Sequence, residues 1–276
     1  MHLSKVFKLL LIPLLVTPLL VNAQGVKYAT KEDIAAAVNA VPCKVEERLE
    51  GVKNQFLVAG AKAEDIKVEK FDKDKISNVV VHKKGNTDET VIIGAHYDRS
   101  DSGCGVVDNW TGIIVMTQIY KVLAPMTTNK SYIFVAFDKE EDGLRGSGQM
   151  VKAMTPEQIG KTCSMINFDS FGQAAPMSLR SVSSSKLLDL AKEIGKEGGL
   201  KFTDVEIPGA SADSASFKNK KIAAITLSGL AGDWQSILHT SNDKIAKVNI
   251  DSVYIGYRFG LVFTSKVDVA GCKDFS

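Results

Sequence analysis

An α/β fold, a mixed and mostly parallel sheet covered by helices on both faces, is predicted by three features of this 276-residue chain. Short apolar runs alternate with longer segments of helical periodicity, several of those runs end abruptly in histidine or acid, and no internal repeat, low-complexity tract or long linker interrupts the pattern.

Taken in order, residues 31–61 carry a helical pattern in which Val45, Leu49, Val52, Phe56 and Val58 recur among charges. Ile76 to Lys83 and Thr90 to Ala95 read as strands separated by a turn at Gly85-Asn86. A helix follows from Asn109 to Leu123, stopped by Pro125, and then a strand from Ser131 to Phe137. A shorter helix spans Leu144 to Met154, a strand Ser164 to Phe168, an extended piece Met177 to Val182, and a helix Ser184 to Gly195. Ile222 to Leu227 is a buried strand, and a helix from Ile250 to Ser265 closes the series. In open α/β sheets the loops at the carboxyl ends of strands build the site. His96, Asp98, Glu140, Glu141 and Asp169 all fall just past predicted strand ends and can meet in space.

Residues 1–23 read as a secretory signal peptide: Lys5 and Lys8, an apolar stretch from Leu9 to Val21 broken by Pro13 and Pro18, and small Ala23 at the cleavage position. The stretch is too short to span a bilayer, and no later run approaches the roughly 20 residues a spanning helix needs. Residues 24–276 are then expected as one secreted or periplasmic domain with no membrane partner. Removing the signal removes two lysines and no acid, so 32 basic side chains face 32 acidic ones. That balance gives no electrostatic footprint for nucleic acid; oligomeric state is left open. Four cysteines in an exported chain favour disulfides over metal ligation. Pairing Cys104 with Cys163 is geometrically poorest, because Cys163 begins a strand whose far end faces the loop of Cys104. The other two connectivities stay open.

Glu140 and Glu141 stand between the apolar run Tyr132 to Phe137 and the glycine-rich turn Gly143 to Ser147. Neighbouring side chains diverge, so one glutamate can hold a metal while the other faces water that must lose a proton. His96 and Asp98, two apart at a strand end, point to one side, and Asp98 is placed to receive the imidazole's second N–H. Asp108 opens a predicted helix, as an N-cap or as a ligand shared by two metals. The run Gly103 to Asp108 imitates a dinucleotide loop, but an acid at that helix start would repel phosphate. Asp169 ends an apolar strand, where it begins a turn or binds metal. After signal removal only His82, His96 and His239 remain, and Asp243 either orients His239 or begins the last helix. Oxygen and nitrogen donors of this kind suit two zinc ions sharing a water, and with it a metallohydrolase.

Gly94-Ala95-His96-Tyr97-Asp98, Asp108-Asn109, Glu140-Glu141 with Gly143-Leu144 and Gly146-Ser147, Met165-Ile166-Asn167 with Asp169, and His239-Thr240 with Asp243 together resemble the M28 family of zinc aminopeptidases. The resemblance runs from about Asn78 to Asp243, with every motif in order. It implies a three-layer α/β/α fold of the secreted, single-domain type acting on a peptide or aminoacyl substrate. It implies two Zn2+ per chain: Asp108 bridging, His96 and Asp169 completing one site, Glu141 and His239 the other, and Glu140 as general base. Departures are Asp169-Ser170, Asp213-Ser214 before Phe217, which leaves substrate-pocket contacts open, and Trp110, which either shapes the pocket or packs.

Two other functions compete. A glutaminyl cyclase shares the fold family but uses one zinc, and relatives of that type tend to carry tryptophan before the last histidine and an Asp-His pair near Phe217, where Leu238 and Asp213-Ser214 stand here. A non-catalytic binding relative would typically lose ligands. A serine hydrolase is disfavoured because no GxSxG stretch occurs.

Overall fold

The structure, a computed structural model, describes residues 26 to 275 except 72 and 74. The expected signal peptide, 1–23, lies outside the described residues.

Helix α1 (Lys31–Asn39) starts at a capping box in which the Thr30 hydroxyl accepts from the Asp33 amide and the Asp33 side chain returns to the Thr30 amide. The single helical pattern expected over 31–61 is two helices, α1 and α2 (Val45–Val58). Pro42 divides them: it lacks an N–H and disfavours helical backbone at Val41 before it. Then come β1 (Ile66–Phe71), β2 (Ile76–Lys83), β3 (Thr90–His96), α3 (Thr111–Leu123), β4 (Ser131–Phe137), α4 (Arg145–Ala153), α5 (Pro156–Lys161) and β5 (Thr162–Phe168). They are followed by β6 (Met177–Leu179), α6 (Ser185–Glu197), β7 (Thr203–Val205), α7 (Ser214–Lys218), β8 (Ala224–Ser228) and α8 (Ile250–Val269).

The eight strands form one sheet in the order β1-β2-β4-β3-β5-β8-β6-β7. Its centre, β4-β3-β5-β8, is parallel, while β1, β2 and β6 pair antiparallel to their inner neighbours. Alternation along each strand sorts side chains to two faces. Val79, Val81, Val91, Ile93, Phe134, Ala136, Ile166 and Phe168 enter one core with α3 and α8, whereas Val80, Ile92, Val135, Phe137 and Met165 enter the other with Met150 of α4 and Phe217 of α7. Helices on both faces make the three-layer α/β/α arrangement. Helix α3 is apolar nearly all round because it is buried nearly all round. Its close approach to β5 requires Gly112: a Cβ there would stand 2.4 Å from the Phe168 carbonyl oxygen.

Cys43 bonds Cys104 and Cys163 bonds Cys272, one of the two connectivities left open. The first ties the α1–α2 connection to the loop preceding Asp108; the second ties the start of β5 to the chain's last turn. No helix among the described residues is long and apolar enough to cross a membrane.

Candidate metal centre

Strand β3 is flanked by β4, reached through α3, and by β5, reached after α4 and α5. Chain connections therefore diverge at its carboxyl end, the place where open α/β sheets leave a crevice. His96 is the last residue of β3. Glu140 and Glu141 follow β4, Asp169 follows β5 directly, and His239 sits in the loop between β8 and α8. Asp108 comes from an irregular segment: Asp108 and Asn109 have non-helical backbone, the peptide between them is cis, and α3 begins only at Thr111. Asp108 is therefore not the N-cap of α3.

These residues converge. His96 Nε2 lies 3.1 Å from Asp108 Oδ1 and 3.7 Å from Asp169 Oδ1. His239 Nε2 lies 3.2 Å from Asp108 Oδ2 and 3.0 Å from Glu141 Oε2. The two oxygens of one carboxylate thus face two separate groups, His96 with Asp169 and His239 with Glu141, and in each group the donor atoms lie within 4.8 Å of one another. Lys139, Ser170 and His239 hold left-handed backbone (φ 55°, 60° and 58°). That conformation is rare outside glycine and persists where the surroundings impose it.

Polar side chains brace the loops. Asp98 lies 3.3 Å from His96 Nδ1 and accepts the Glu140 amide on Oδ1 (3.0 Å) and the Glu141 amide on Oδ2 (3.1 Å). One carboxylate thereby fixes both glutamates relative to the histidine. Asn109 donates to the Phe168 carbonyl (2.9 Å) and accepts from the amides of Gly112 and Ser170 (3.0 Å each), joining the Asp108 segment to the Asp169 turn. Asp243 neither orients His239 nor begins α8, which is capped by Asn249. Its carboxylate accepts the amides of Val106, Val107 and Asp108 at 2.8, 2.7 and 3.1 Å.

Burial opposes charge on His96, yet the Glu140 charge and contacts with Asp108, Asp169 and Asp98 outweigh it and raise its pKa well above the ordinary imidazole value. Contacts with Asp108 and Glu141 push His239 up to about 10. Burial disfavours the Asp108 carboxylate, but His239 and His96 prevail and hold it well below the usual range. Burial raises Glu140 well above its ordinary value, against the pull of His96 and with the charges of Asp213, Asp169 and Asp108 adding to the rise. Asp213, which the sequence set apart only as a departure from the family pattern beside Phe217, is fully buried with neither oxygen hydrogen-bonded, and burial pushes it up to about 7.

This donor set fits a pair of divalent ions. It offers imidazole and carboxylate atoms, it gathers more buried negative charge than its own cations match, and it leaves Glu141 Oε1 buried without a hydrogen-bond partner. Beside it opens a cavity of about 480 Å³. Its lining combines the polar His96, Asp108, Glu140, Glu141, Asp169 and His239 with the apolar Leu179, Ile207, Leu230, Trp234 and Leu238. Trp110 is absent from that lining; it is fully buried and donates its indole N–H to the Ala37 carbonyl. It packs.

The model of the family described as Peptidase family M28 matches residues 78–255. The chain belongs to this peptidase family. A stretch of 106 residues is 32% identical to leucine aminopeptidase 2 of Arthroderma otae, covering 38% of this chain and 21% of that protein. The chain thus spans only about a fifth of the curated relative it matches. Among solved structures, a zinc aminopeptidase from Bacillus subtilis superposes with a TM-score of 0.63 at 20% identity, covering 72% of this chain and 52% of that one. A glutaminyl cyclase from an Acidobacteriales bacterium does so with a TM-score of 0.73 at 15% identity, covering 89% and 97%. At such identities the likeness is one of fold. Helices α1 and α2 and strand β1 lie before the region that the family model matches.

Proposed function

We propose that this chain is an exported zinc-dependent aminopeptidase that removes N-terminal residues from peptides or aminoacyl compounds. The observation that carries the reading is Asp108, whose two carboxylate oxygens each face a separate imidazole–carboxylate group. His96 and Asp169 would hold one zinc, Glu141 and His239 the other, with Asp108 shared. Zinc held there supplies Lewis-acid polarisation of the scissile carbonyl and acidifies water toward a pKa of about 7. Glu140 lines the cavity but belongs to neither ligand group, and its raised pKa suits a base that takes a proton from the attacking water and returns it to the departing amine. Asp98 would position it by accepting the Glu140 backbone N–H on one oxygen, while its other oxygen accepts the N–H of Glu141. The apolar part of the lining, from Leu179 to Leu238, would receive the side chain of the residue removed. Two disulfides suit an oxidising compartment outside the cytosol.

Glutaminyl cyclisation is the second reading, favoured by the extent of the fold match to a cyclase. Against it stand the two donor groups where one zinc would suffice and Leu238 in place of tryptophan. A panel of aminoacyl amides, assayed with a metal count on the same sample, tests the proposal. Release of free amino acid with two zinc ions per chain supports it. Ammonia loss from a glutaminyl peptide with one zinc overturns it in favour of the cyclase.

A further inference from the structure

We infer that Arg48, on a helix outside the matched family region, is a positioning residue that sets the geometry of the zinc-holding loops from behind. The inference rests on the metal-site reading above and deepens it. Arg48 is fully buried, and its guanidinium donates to four main-chain carbonyls, those of Pro42 (3.2 Å), Tyr97, Cys104 (3.0 Å) and Gly105 (3.1 Å). Tyr97 stands between His96 and Asp98; Cys104 and Gly105 begin the turn that delivers Asp108. One side chain therefore joins the two loops that carry the shared ligand and its partner histidine.

The acceptors are all carbonyls, and among the described residues no carboxylate closes an ion pair on the guanidinium. Burial works against a cation held this way, an effect offset at longer range by Asp98, Asp243 and Asp108, whose charges favour it. Its Cζ lies 5.3 Å from the centroid of the Trp110 ring, whose indole is itself tied to α1. The Cys43–Cys104 disulfide links the same two chain segments a few residues away. A planar fork reaching several carbonyls at once is a task that lysine, a point donor on a flexible stem, does not reproduce.

Charge and geometry predict opposite results, which makes the inference testable. By Coulomb's law alone, deleting a positive charge behind a cation site would tighten zinc binding. Loss of positioning weakens it. The test compares the full chain with Arg48→Met, which removes the charge at similar volume, and Arg48→Lys, which keeps the charge and loses the fork. Zinc affinity is measured by chelator competition, and amide hydrogen exchange is followed in the metal-free proteins. Both variants are expected to bind zinc about 10- to 100-fold more weakly, the usual consequence of losing a group that orients ligands. Amides of residues 97–108 should exchange faster while those of β4 do not change. If Arg48→Met fails to fold, Arg48→Lys alone decides. Unchanged or tighter zinc binding together with unchanged exchange across 97–108 overturns the inference. A parent chain that binds no zinc defeats the proposed function instead, and hydrogen exchange in the metal-free variants still decides the positioning role.

Discussion

Replacing Asp243 tests the claim that a remote carboxylate shapes the Asp108 segment. The side chain is 1% exposed and accepts three amides, two of them at 2.8 Å or less. Asp243→Ala leaves three buried N–H groups without partners, each costing about 1–3 kcal/mol before water enters the vacated space. Burial disfavours this carboxylate and raises its pKa even against those amide bonds, so removing the charge recovers part of the loss. A net destabilisation of about 3 kcal/mol is the result, equivalent to a fall in Tm of about 6–12 °C for a domain of this size. Asp243→Asn separates the contributions. Its amide oxygen can still serve Val106 and Val107, while its NH2 faces the Asp108 amide that Oδ2 now accepts, so a loss of about 1–2 kcal/mol follows. Denaturant unfolding of the metal-free proteins measures both. An alanine variant within 0.5 kcal/mol of the parent, or an asparagine variant less stable than the alanine one, would refute the reasoning.

Glu140→Gln keeps the shape and removes the base: turnover should fall by about 10²–10⁴-fold with zinc content unchanged, and a variant with parental kcat would remove Glu140 from that role. Asp213 ionises near 3.8 when unfolded and near 7 when folded, so below pH 4 both states keep the proton and no cost arises. Between about pH 4 and 7 the unfolded state gives up the proton while the folded state keeps it, so the cost accumulates to about 4 kcal/mol and levels off above pH 7. Metal-free Asp213→Asn should therefore gain stability relative to the parent between pH 4 and 8, and a pH-independent difference would contradict this. Contacts with the surrounding carboxylates push His239 up to about 10 and raise His96 well above its ordinary value, and both would have to be neutral as ligands, so zinc binding at pH 7 should release protons; calorimetry in buffers of different ionisation enthalpy reads the number, and zero release refutes it.

How much was legible in the sequence follows from what each element rests on. The inner strands β2, β3, β4, β5 and β8 and the buried helices α3 and α8 announce themselves, because burial on one or both faces forces apolar runs of the right period. β1, reading Ile-Lys-Val-Glu-Lys-Phe at the sheet edge, does not: its charges protect an exposed edge and mask the alternation. β7, three residues long, and α7, five, carry too few side chains for any period to register. Of the lining residues, His96, Glu140, Glu141 and Asp169 were legible because strand-end position limits where an acid or histidine can point, whereas Asp108 and His239 stood out through the ordered motifs of the family resemblance. The main-chain ties of Asp243 and Arg48 were not. Asp243 reaches back 135 residues to Asp108, and Arg48 reaches 49 to Tyr97. Each serves main-chain groups, which leave no signature in residue type or spacing.

The braces also explain how a site so poor in internal balance can exist. Asp98, Asp108, Asp169 and Asp213 are each at most 8% exposed, and Glu140 and Glu141 join them around two imidazoles. Without metal the chain answers with protons: both histidines and Glu140 are raised, and Asp213 is drawn to about 7. Each such shift measures work done against crowding like charges in a poorly solvated crevice. Left to relax, loops lacking ladder hydrogen bonds would splay until water screened them. Main-chain ties from Asp98, Asn109, Asp243 and Arg48 prevent that, keeping the donors convergent before any ion arrives. On the proposed function, the free energy stored in that convergence is what a divalent cation would release on entering, so the same side chains that burden the metal-free fold would be the source of affinity for the metal.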